Sequence, residues 1–319
     1  MRKAHKWVAV DFGGPEALRR VDVEVHAPQP GQVAIEIRAA GMNPADAKHI
    51  APGQDRKLLP LDLGYEVAGV VTEVGAGTEP SPVSVGDKVI AALVSGGYAT
   101  AMTVPVTDVF AKPSTLGFAQ AANLMMVGTT AADLLHVSGP GNGDTILLHG
   151  AAGAVGTSVL QQARVLGVRV VGTASAANFD LVRQFGGVPV EYGPGLVDRV
   201  RAAAPDGVTA ALDTVGSDEA GDVSLALVAD RTRVVTIVAA ARAKSDGYVF
   251  VGASNPASGP FRARARSRIV GLAESGQLTV PMAQTFAFDD APAAFAALTG
   301  RHPAGKLALV NGNSSQLRG

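Results

Sequence analysis

The amino-acid sequence predicts an α/β protein in two parts: a compact domain of short strands, and a doubly wound parallel sheet covered by helices. Three observations carry this reading. The length, 319 residues, suits two domains of roughly 150 residues better than one. Up to about residue 115, short β-type runs alternate with Gly- and Pro-rich turn signals. From about residue 118, apolar strands alternate with helices, the pattern of a parallel sheet buried on both faces.

Taken in order, the runs 21–25, 33–37, 67–74 and 88–93 read as strands, separated by Pro28-Gln29-Pro30-Gly31, Gly75-Ala76-Gly77 and Val85-Gly86-Asp87. A helix is expected over 119–136, then strand 145–148 and helix 154–166. Strand 168–172, helix 178–185, strand 188–192, helix 196–204 and strand 208–213 follow, then helix 220–229 and strand 233–238. The apolar run 234–241, flanked by Arg233 and Arg242, reads as a buried strand, being far below the ~18 residues of a membrane span. Beyond a further strand at 248–251, a long helix is expected over about 261–275. The remaining tail carries 278–280, 285–288, helix 291–299 and strand 306–310, and 311–319 reads as frayed. Right-handed crossovers make the sheet doubly wound. The tail's β character matches the first part, so the second part reads as an insertion: residues 1–117 with 272–319 form one domain and 118–271 the other.

Composition excludes several function classes. Hydrophobic residues at 47% and charged residues at 17% supply real cores. Basic and acidic residues number 27 and 28, so the basic excess of a nucleic-acid binder is missing. Cysteine is absent, which removes disulfides, thiolate metal sites and cysteine nucleophiles. The apolar stretch after the basic start ends at Asp11, too short for a signal-peptide core, and the expectation is a cytoplasmic protein.

The loop His149-Gly150-Ala151-Ala152-Gly153-Ala154-Val155-Gly156 lies between a strand and a helix start. A dinucleotide pyrophosphate needs main-chain N–H groups at a helix N-terminus, and small residues allow close approach. The spacing is looser than G-x-G-x-x-G, and an ordinary tight turn would read the same. The βαβ continuation is what favours a nucleotide site. No acid follows the second strand, where one would select the ribose 2′-hydroxyl of NAD; the next is Asp180. That absence favours NADPH. Ser175, Asn178 and Tyr192 can donate hydrogen bonds to a 2′-phosphate, although Ser175 and Asn178 could equally be helix caps.

Further motifs occur in order: Gly13-Gly14-Pro15-Glu16, Gly41-Met42-Asn43-Pro44-Ala45-Asp46, Gly64-Tyr65-Glu66-Val67-Ala68-Gly69, Val85-Gly86-Asp87-Lys88-Val89, Gly128-Thr129-Thr130-Ala131-Ala132, Asp213-Thr214-Val215-Gly216 and Gly305-Lys306-Leu307. With the small-residue loop, this set resembles the zinc-free quinone oxidoreductase branch of the medium-chain dehydrogenase/reductase superfamily along nearly the whole chain. The resemblance implies a GroES-like β-barrel catalytic domain, a Rossmann domain and NADPH. It also implies a cofactor set. Gly153 and the N–H groups of Ala154 and Val155 would face the pyrophosphate. Thr130, Val215, Phe250 and Val251 would line the nicotinamide side. Thr173, Ala174, Ser175, Asn178 and Tyr192 would form the adenosine phosphate pocket. Phe179 stands where a charged residue is often expected. Asn43, Tyr65 and Met126 occupy the positions of three zinc ligands in the metal-dependent relatives.

Without a metal, reduction of an already activated acceptor is the accessible chemistry: hydride passes to a quinone or the β-carbon of an enone, and charge develops on oxygen. Asn43 and Tyr65 are the candidate donors to that oxygen. Asn43 could instead support its loop or touch a ribose hydroxyl, and Tyr65 could only shape the pocket. Glu66 is as readily structural as functional. Asp46 and Lys48 read as an exposed loop pair, Tyr98 as a strand residue or a pocket border, and Lys306 as a turn residue. His49, His136 and His149 read as packing or surface residues.

Strand 248–251 resembles the edge through which such domains pair, so a homodimer is expected. The arginines of 262–268 read as a solvated helix face. The expected partner is a small-molecule quinone or enone, with no nucleic acid and no membrane. The alternatives are an enoyl-thioester reductase and a regulatory protein that binds NADPH without turnover.

Overall fold

The structure, a computed structural model, describes residues 2–53, 55–77, 82–252, 255–300 and 303–312. The part of the expected frayed tail from 313 on lies outside them. The chain divides into two compact units, Met1–Met126 with Thr279–Gly319, and Val127–Leu278. The sequence reading drew the divisions near 117/118 and 271/272.

The first unit begins with β1 (Arg2–Ala9), β2 (Leu18–Val25), β3 (Gln32–Gly41), α1 (Pro44–His49), β4 (Leu61–Asp62), β5 (Glu66–Val74), β6 (Lys88–Ala92), β7 (Ala101–Pro105), β8 (Val109–Ala111) and α2 (Phe118–Ala121). The chain continues through α3 (Leu124–Ser138), β9 (Thr145–His149), α4 (Ala154–Val165), β10 (Arg169–Ala174), α5 (Phe179–Gln184), β11 (Val188–Glu191) and α6 (Leu196–Ala203). Next come β12 (Ala210–Asp213), α7 (Asp218–Leu227), β13 (Val234–Thr236), α8 (Ala240–Asp246), β14 (Val249–Phe250) and α9 (Ser258–Glu274). It returns to the first unit with β15 (Met282–Ala287), α10 (Ala291–Thr299) and β16 (Lys306–Val310).

The first unit holds a mixed sheet ordered β15-β16-β3-β5-β6-β8, with β7 paired to β3, and a smaller sheet β2-β1-β4. Its architecture is GroES-like. The inward residues of β3, Val33, Ile35 and Ile37, are wholly buried beside Val67, Leu63 and Phe295. Their alternation with partly exposed Ala34, Glu36 and Arg38 is the period of two that a half-buried strand requires. Trp7 closes one end, its indole N–H donating to the Phe288 carbonyl at 2.8 Å.

The second unit is a six-stranded parallel sheet in the order β11-β10-β9-β12-β13-β14. Numbered within the unit, that is the 3-2-1-4-5-6 order of a Rossmann fold, whose direction reverses between β9 and β12. Successive residues of β9 feed opposite faces. Ile146 and Leu148 pack with Val159 and Leu160 of α4, whereas Leu147 packs with Val200 of α6 and Val223 of α7. A strand buried on both faces must be apolar throughout, as this one is.

Some local readings need correction. The helix expected over 119–136 is broken into α2 and α3, because buried Asn123 turns its amide to the carbonyls of Ala119 and Leu307. Only Val234–Thr236 of the apolar run is strand. The Thr236 hydroxyl accepts the N–H groups of Val238 and Ala239, which turns the chain into α8. Residues 278–280 are not a strand. Leu278 is buried where its N–H caps α9 through the Leu272 carbonyl. In α9, Ala265 and Ile269 point inward, and Arg262 is ion-paired to buried Asp133 at 2.8 Å. None of the described helices is long and apolar enough to cross a membrane.

Candidate functional site

In the second unit, a cavity of about 470 Å³ opens at the carboxyl ends of β9, β10 and β12, beside the point where the strand order reverses. The loop after β9 builds its floor. Gly150 takes φ +80, a left-handed conformation that glycine enters without steric cost. Its N–H donates to Thr173 Oγ1 at 3.1 Å, and Ala151 N–H donates to the Thr173 carbonyl at 3.0 Å, tying the loop to β10. At Gly156 a Cβ would lie 2.2 Å from the Gly150 carbonyl oxygen, so only glycine lets α4 sit this close. The first N–H groups of α4, from Ala154 and Val155 onward, have no carbonyl one turn earlier to bond. This cradle fits a dinucleotide: exposed amides at a helix start suit a pyrophosphate, and the flanking cavity suits an adenosine.

Of the expected cofactor residues, Gly153, Thr173, Ala174 and Ser175 line the cavity, together with Asn178, Tyr192 and Val215. Ala154 and Val155 open α4 next to it. Thr130 lies on α3, Phe250 on β14, and Val251 follows that strand, wholly buried; none of these three lines the cavity. Ser217, Glu219 and Ala220 also line the cavity without a local pattern to mark them, and so does His149, expected as a packing or surface residue. His149 is 2% exposed with Nε2 lacking a partner, and burial lowers its pKa to about 4, so it is a neutral imidazole. Its position at the end of a strand before the small-residue loop was the available signal. The Glu219 carboxylate accepts the Gly193 N–H at 3.0 Å. Among the described residues, no lysine or arginine lines the cavity. Asn178 donates to Ser175 Oγ at 3.1 Å, and Arg183 is engaged by Asp180 at 2.8 Å and lies over the Phe179 ring.

In the first unit, Asn43 and Tyr65 anchor a polar cluster. Asn43 precedes α1, and Pro44 opens that helix, where a missing N–H costs nothing. The Asn43 side chain is buried and held at both ends. Nδ2 donates to Glu66 Oε1 at 3.0 Å, and Oδ1 accepts from Lys306 Nζ. Glu66 Oε2 accepts the Met126 N–H at 2.9 Å, and Lys306 Nζ also donates to the Met42 carbonyl. Burial pushes the Glu66 carboxyl up and the Lys306 ammonium down, each towards its neutral form, against their mutual attraction at 3.9 Å.

Three expectations are overturned here. Asp46 is not an exposed partner of Lys48. It is fully buried, accepting from the Asn43 N–H, the Gly64 N–H and the Tyr98 hydroxyl, because it caps α1 from inside. Burial pushes its carboxyl up. Tyr98 neither borders a mouth nor lies in a strand: it is wholly buried in a bend, donating to Asp46 at 2.9 Å. Lys306 is the first residue of β16 rather than a turn residue, and its ammonium is consumed by the cluster. Tyr65, half-buried, meets exposed His49: the hydroxyl and Nδ1 are hydrogen-bonded, with the rings edge-on at 5.4 Å. Burial raises the Tyr65 pKa, keeping the phenol protonated.

Residues 29–114 match the family described as Alcohol dehydrogenase GroES-like domain, and residues 188–309 match that described as Zinc-binding dehydrogenase. A zinc ion needs three or four ligands of sulfur, imidazole or carboxylate type. The donors at the corresponding positions do not fit one: the Asn43 amide oxygen, its one ligating atom, accepts from Lys306, the Tyr65 phenol is engaged by His49, and the Met126 N–H is bonded to Glu66. Among the described residues, no three His, Asp or Glu side chains are grouped so as to hold a metal. The rat protein Quinone oxidoreductase is 37% identical over 203 residues, the aligned part spanning 61% of each chain. The mouse Quinone oxidoreductase is 34% identical over 237 residues, 71% of each chain. The solved structure of Escherichia coli quinone oxidoreductase complexed with NADPH superposes with a TM-score of 0.82 at 25% identity, covering 96% of this chain and 100% of that one. Shared sequence along most of the mouse protein, and shared architecture along nearly all of the bacterial one, have one source: this chain belongs to the quinone oxidoreductase type of the medium-chain dehydrogenase/reductase superfamily.

Proposed function

We propose that the protein is an NADPH-dependent oxidoreductase that transfers hydride to a quinone or an α,β-unsaturated carbonyl without a metal. The observation that carries this reading is the phosphate cradle at Gly150–Gly156, set at the reversal point of a 3-2-1-4-5-6 sheet. The relative solved with NADPH supports the choice of coenzyme. So does the absence of an acid after β10, where the cavity wall carries the neutral groups of Ser175, Asn178 and Tyr192.

When bound, the dihydronicotinamide supplies a hydride. The protein's share of the work is positioning and charge stabilisation. The amides opening α4 hold the pyrophosphate, and the walls of the adenosine cavity fix the other half of the molecule. Tyr65, held protonated by burial, donates a hydrogen bond to the substrate oxygen as negative charge grows there. Asn43 keeps one amide hydrogen beyond the one given to Glu66. Its orientation is locked by Lys306, so it can donate without rotating.

The test is a paired titration with NADPH and NADH, followed by turnover on 1,4-quinones and short enones. Tight NADPH binding with oxidation by at least one acceptor is expected. Failure to bind either dinucleotide would end the reading, and stoichiometric binding without any oxidation would make the protein a binder rather than a reductase.

A further inference from the structure

We propose that His49 is the proton-relay partner of Tyr65, the two residues together passing one proton to the substrate oxygen. The proposal rests on the reductase reading above and assigns His49 a part in it.

The pair is built by local structure. α1 is six residues long and starts from the buried Asn43–Asp46 cap, which fixes where its last residue, His49, emerges. Tyr65 immediately precedes β5. The two side chains meet through Oη and Nδ1, edge to face at 83°. Nδ1 is thus committed to the phenol, while exposed His49 can exchange protons with water at Nε2. Imidazole is the side chain that accepts a proton on one nitrogen while giving one from the other near neutral pH. The neighbouring ionisable groups are otherwise engaged. Asp46 spends its oxygens on the α1 cap and the Tyr98 hydroxyl, and Glu66 on Asn43 and the Met126 N–H.

A second observation marks the same spot. The β5–β6 register pairs Glu66 with Ala92, which places Leu93 opposite Tyr65, and the Val94 N–H bonds the Tyr65 carbonyl at 3.1 Å. Among the described residues, Leu93 is the non-glycine residue with positive φ, at 60°, and it is 63% exposed. A leucine held left-handed is strained, and strain of this kind clusters at functional sites. An exposed apolar residue across the backbone from Tyr65 suits a substrate with a hydrophobic body and one carbonyl oxygen.

The step balances as follows. The β-carbon of an enone gains hydride, the C=C electron pair shifts onto the carbonyl oxygen, and that oxygen takes the Tyr65 Oη proton. As the phenolate takes the Nδ1 proton of His49, Nε2 takes one from water, so the ring stays neutral and the hydroxide left behind is neutralised by bulk solvent. The substrate gains one hydride and one proton, and its electrons come from the dihydronicotinamide.

Four variants test the relay: His49→Gln, His49→Ala, Tyr65→Phe and the double variant His49→Ala/Tyr65→Phe. Glutamine can hold the phenol in place but cannot carry the proton. Both His49 single variants are expected to lower kcat on an enone by roughly ten- to a hundredfold with little change in KM. Added imidazole should restore part of the His49→Ala rate, and the double variant should be no slower than Tyr65→Phe alone. In the coenzyme-free protein, Tyr65→Phe should shift the ¹⁵N resonances of the His49 ring. Wild-type kcat in His49→Gln, full additivity in the double variant, or unmoved ring resonances would overturn the relay. A parent protein that binds NADPH yet reduces no acceptor would instead bring down the reductase reading, and the relay with it.

Discussion

Lys306 and Glu66 show how far a buried charge depends on its partners. Lys306 is 5% exposed and Glu66 1%, and each is stabilised by the other and by Asn43. Lys306→Met removes one partner and leaves a carboxylate without compensation, a loss of roughly 3–5 kcal/mol. Urea unfolding should show that loss, and adding Glu66→Gln should recover part of it; no loss in the single variant would mean that Glu66 and Lys306 are both neutral in the folded protein. His149 makes a pH-dependent contribution. Its ring titrates near 4 in the folded protein instead of near 6.5, because burial disfavours the cation. Between those values the unfolded chain binds the extra proton, so stability falls as pH drops from 6.5 to 4, by roughly 3 kcal/mol. His149→Asn should flatten this dependence. Identical unfolding free-energy differences between pH 7 and pH 4.5 in parent and variant would contradict it.

At the level of elements, the join between β9 and α4 has the narrowest tolerance. Gly156→Ala would set a methyl group 2.2 Å from the Gly150 carbonyl oxygen, so either the helix or the loop must move. A stability loss of about 1–3 kcal/mol is expected, with a rise of tenfold or more in the dissociation constant for NADPH, read by calorimetry. Unchanged affinity would remove this turn from the phosphate site. In the proposed function, the turn from β10 into α5 is where coenzyme selectivity is set. Among the described residues no lysine or arginine lines the cavity, and Glu219 does, so a 2′-phosphate bound there would gain no ion pair, and the preference for NADPH over NADH is expected to stay within about tenfold. Phe179→Arg adds a charge near that turn and should raise the kcat/KM ratio of NADPH to NADH by about another tenfold, the gain shrinking with added salt. A ratio untouched by the substitution would place the 2′-phosphate elsewhere.

For the whole molecule, coenzyme binding and folding are linked. NADPH at a hundred times its dissociation constant should stabilise the protein by about 2.7 kcal/mol, visible as a rise in Tm that NADH matches only at higher concentration. The expected homodimer would form at β14, which closes the parallel sheet at one end and, among the described residues, pairs only with β13. A two-residue edge strand as apolar as Val249–Phe250 is open to pairing with a second copy. Light scattering should therefore give about twice the chain mass of 32.3 kDa, and a monomer at micromolar concentration would reject the dimer.

Periodicity and turn chemistry by themselves determined much of this protein. Strands β9 to β13 and helices α4 to α7 were legible because each is a local pattern: an apolar run, or an amphipathic stretch punctuated by glycine. The small-residue loop revealed the phosphate cradle for the same reason, since its conformation depends on residues within one turn. The tertiary structure alone decided the polar cluster. Asp46, Tyr98 and Lys306 come from three distant segments and read singly as loop, strand and turn. Their burial depends on strands that pair across more than 200 residues, β16 with β3. His49 is the same case: nothing within α1 marks it apart from an ordinary surface histidine. Only the packing of α1 beside the start of β5 brings its ring to Tyr65, because a hydrogen bond between side chains 16 residues apart is a property of the fold and not of the local sequence.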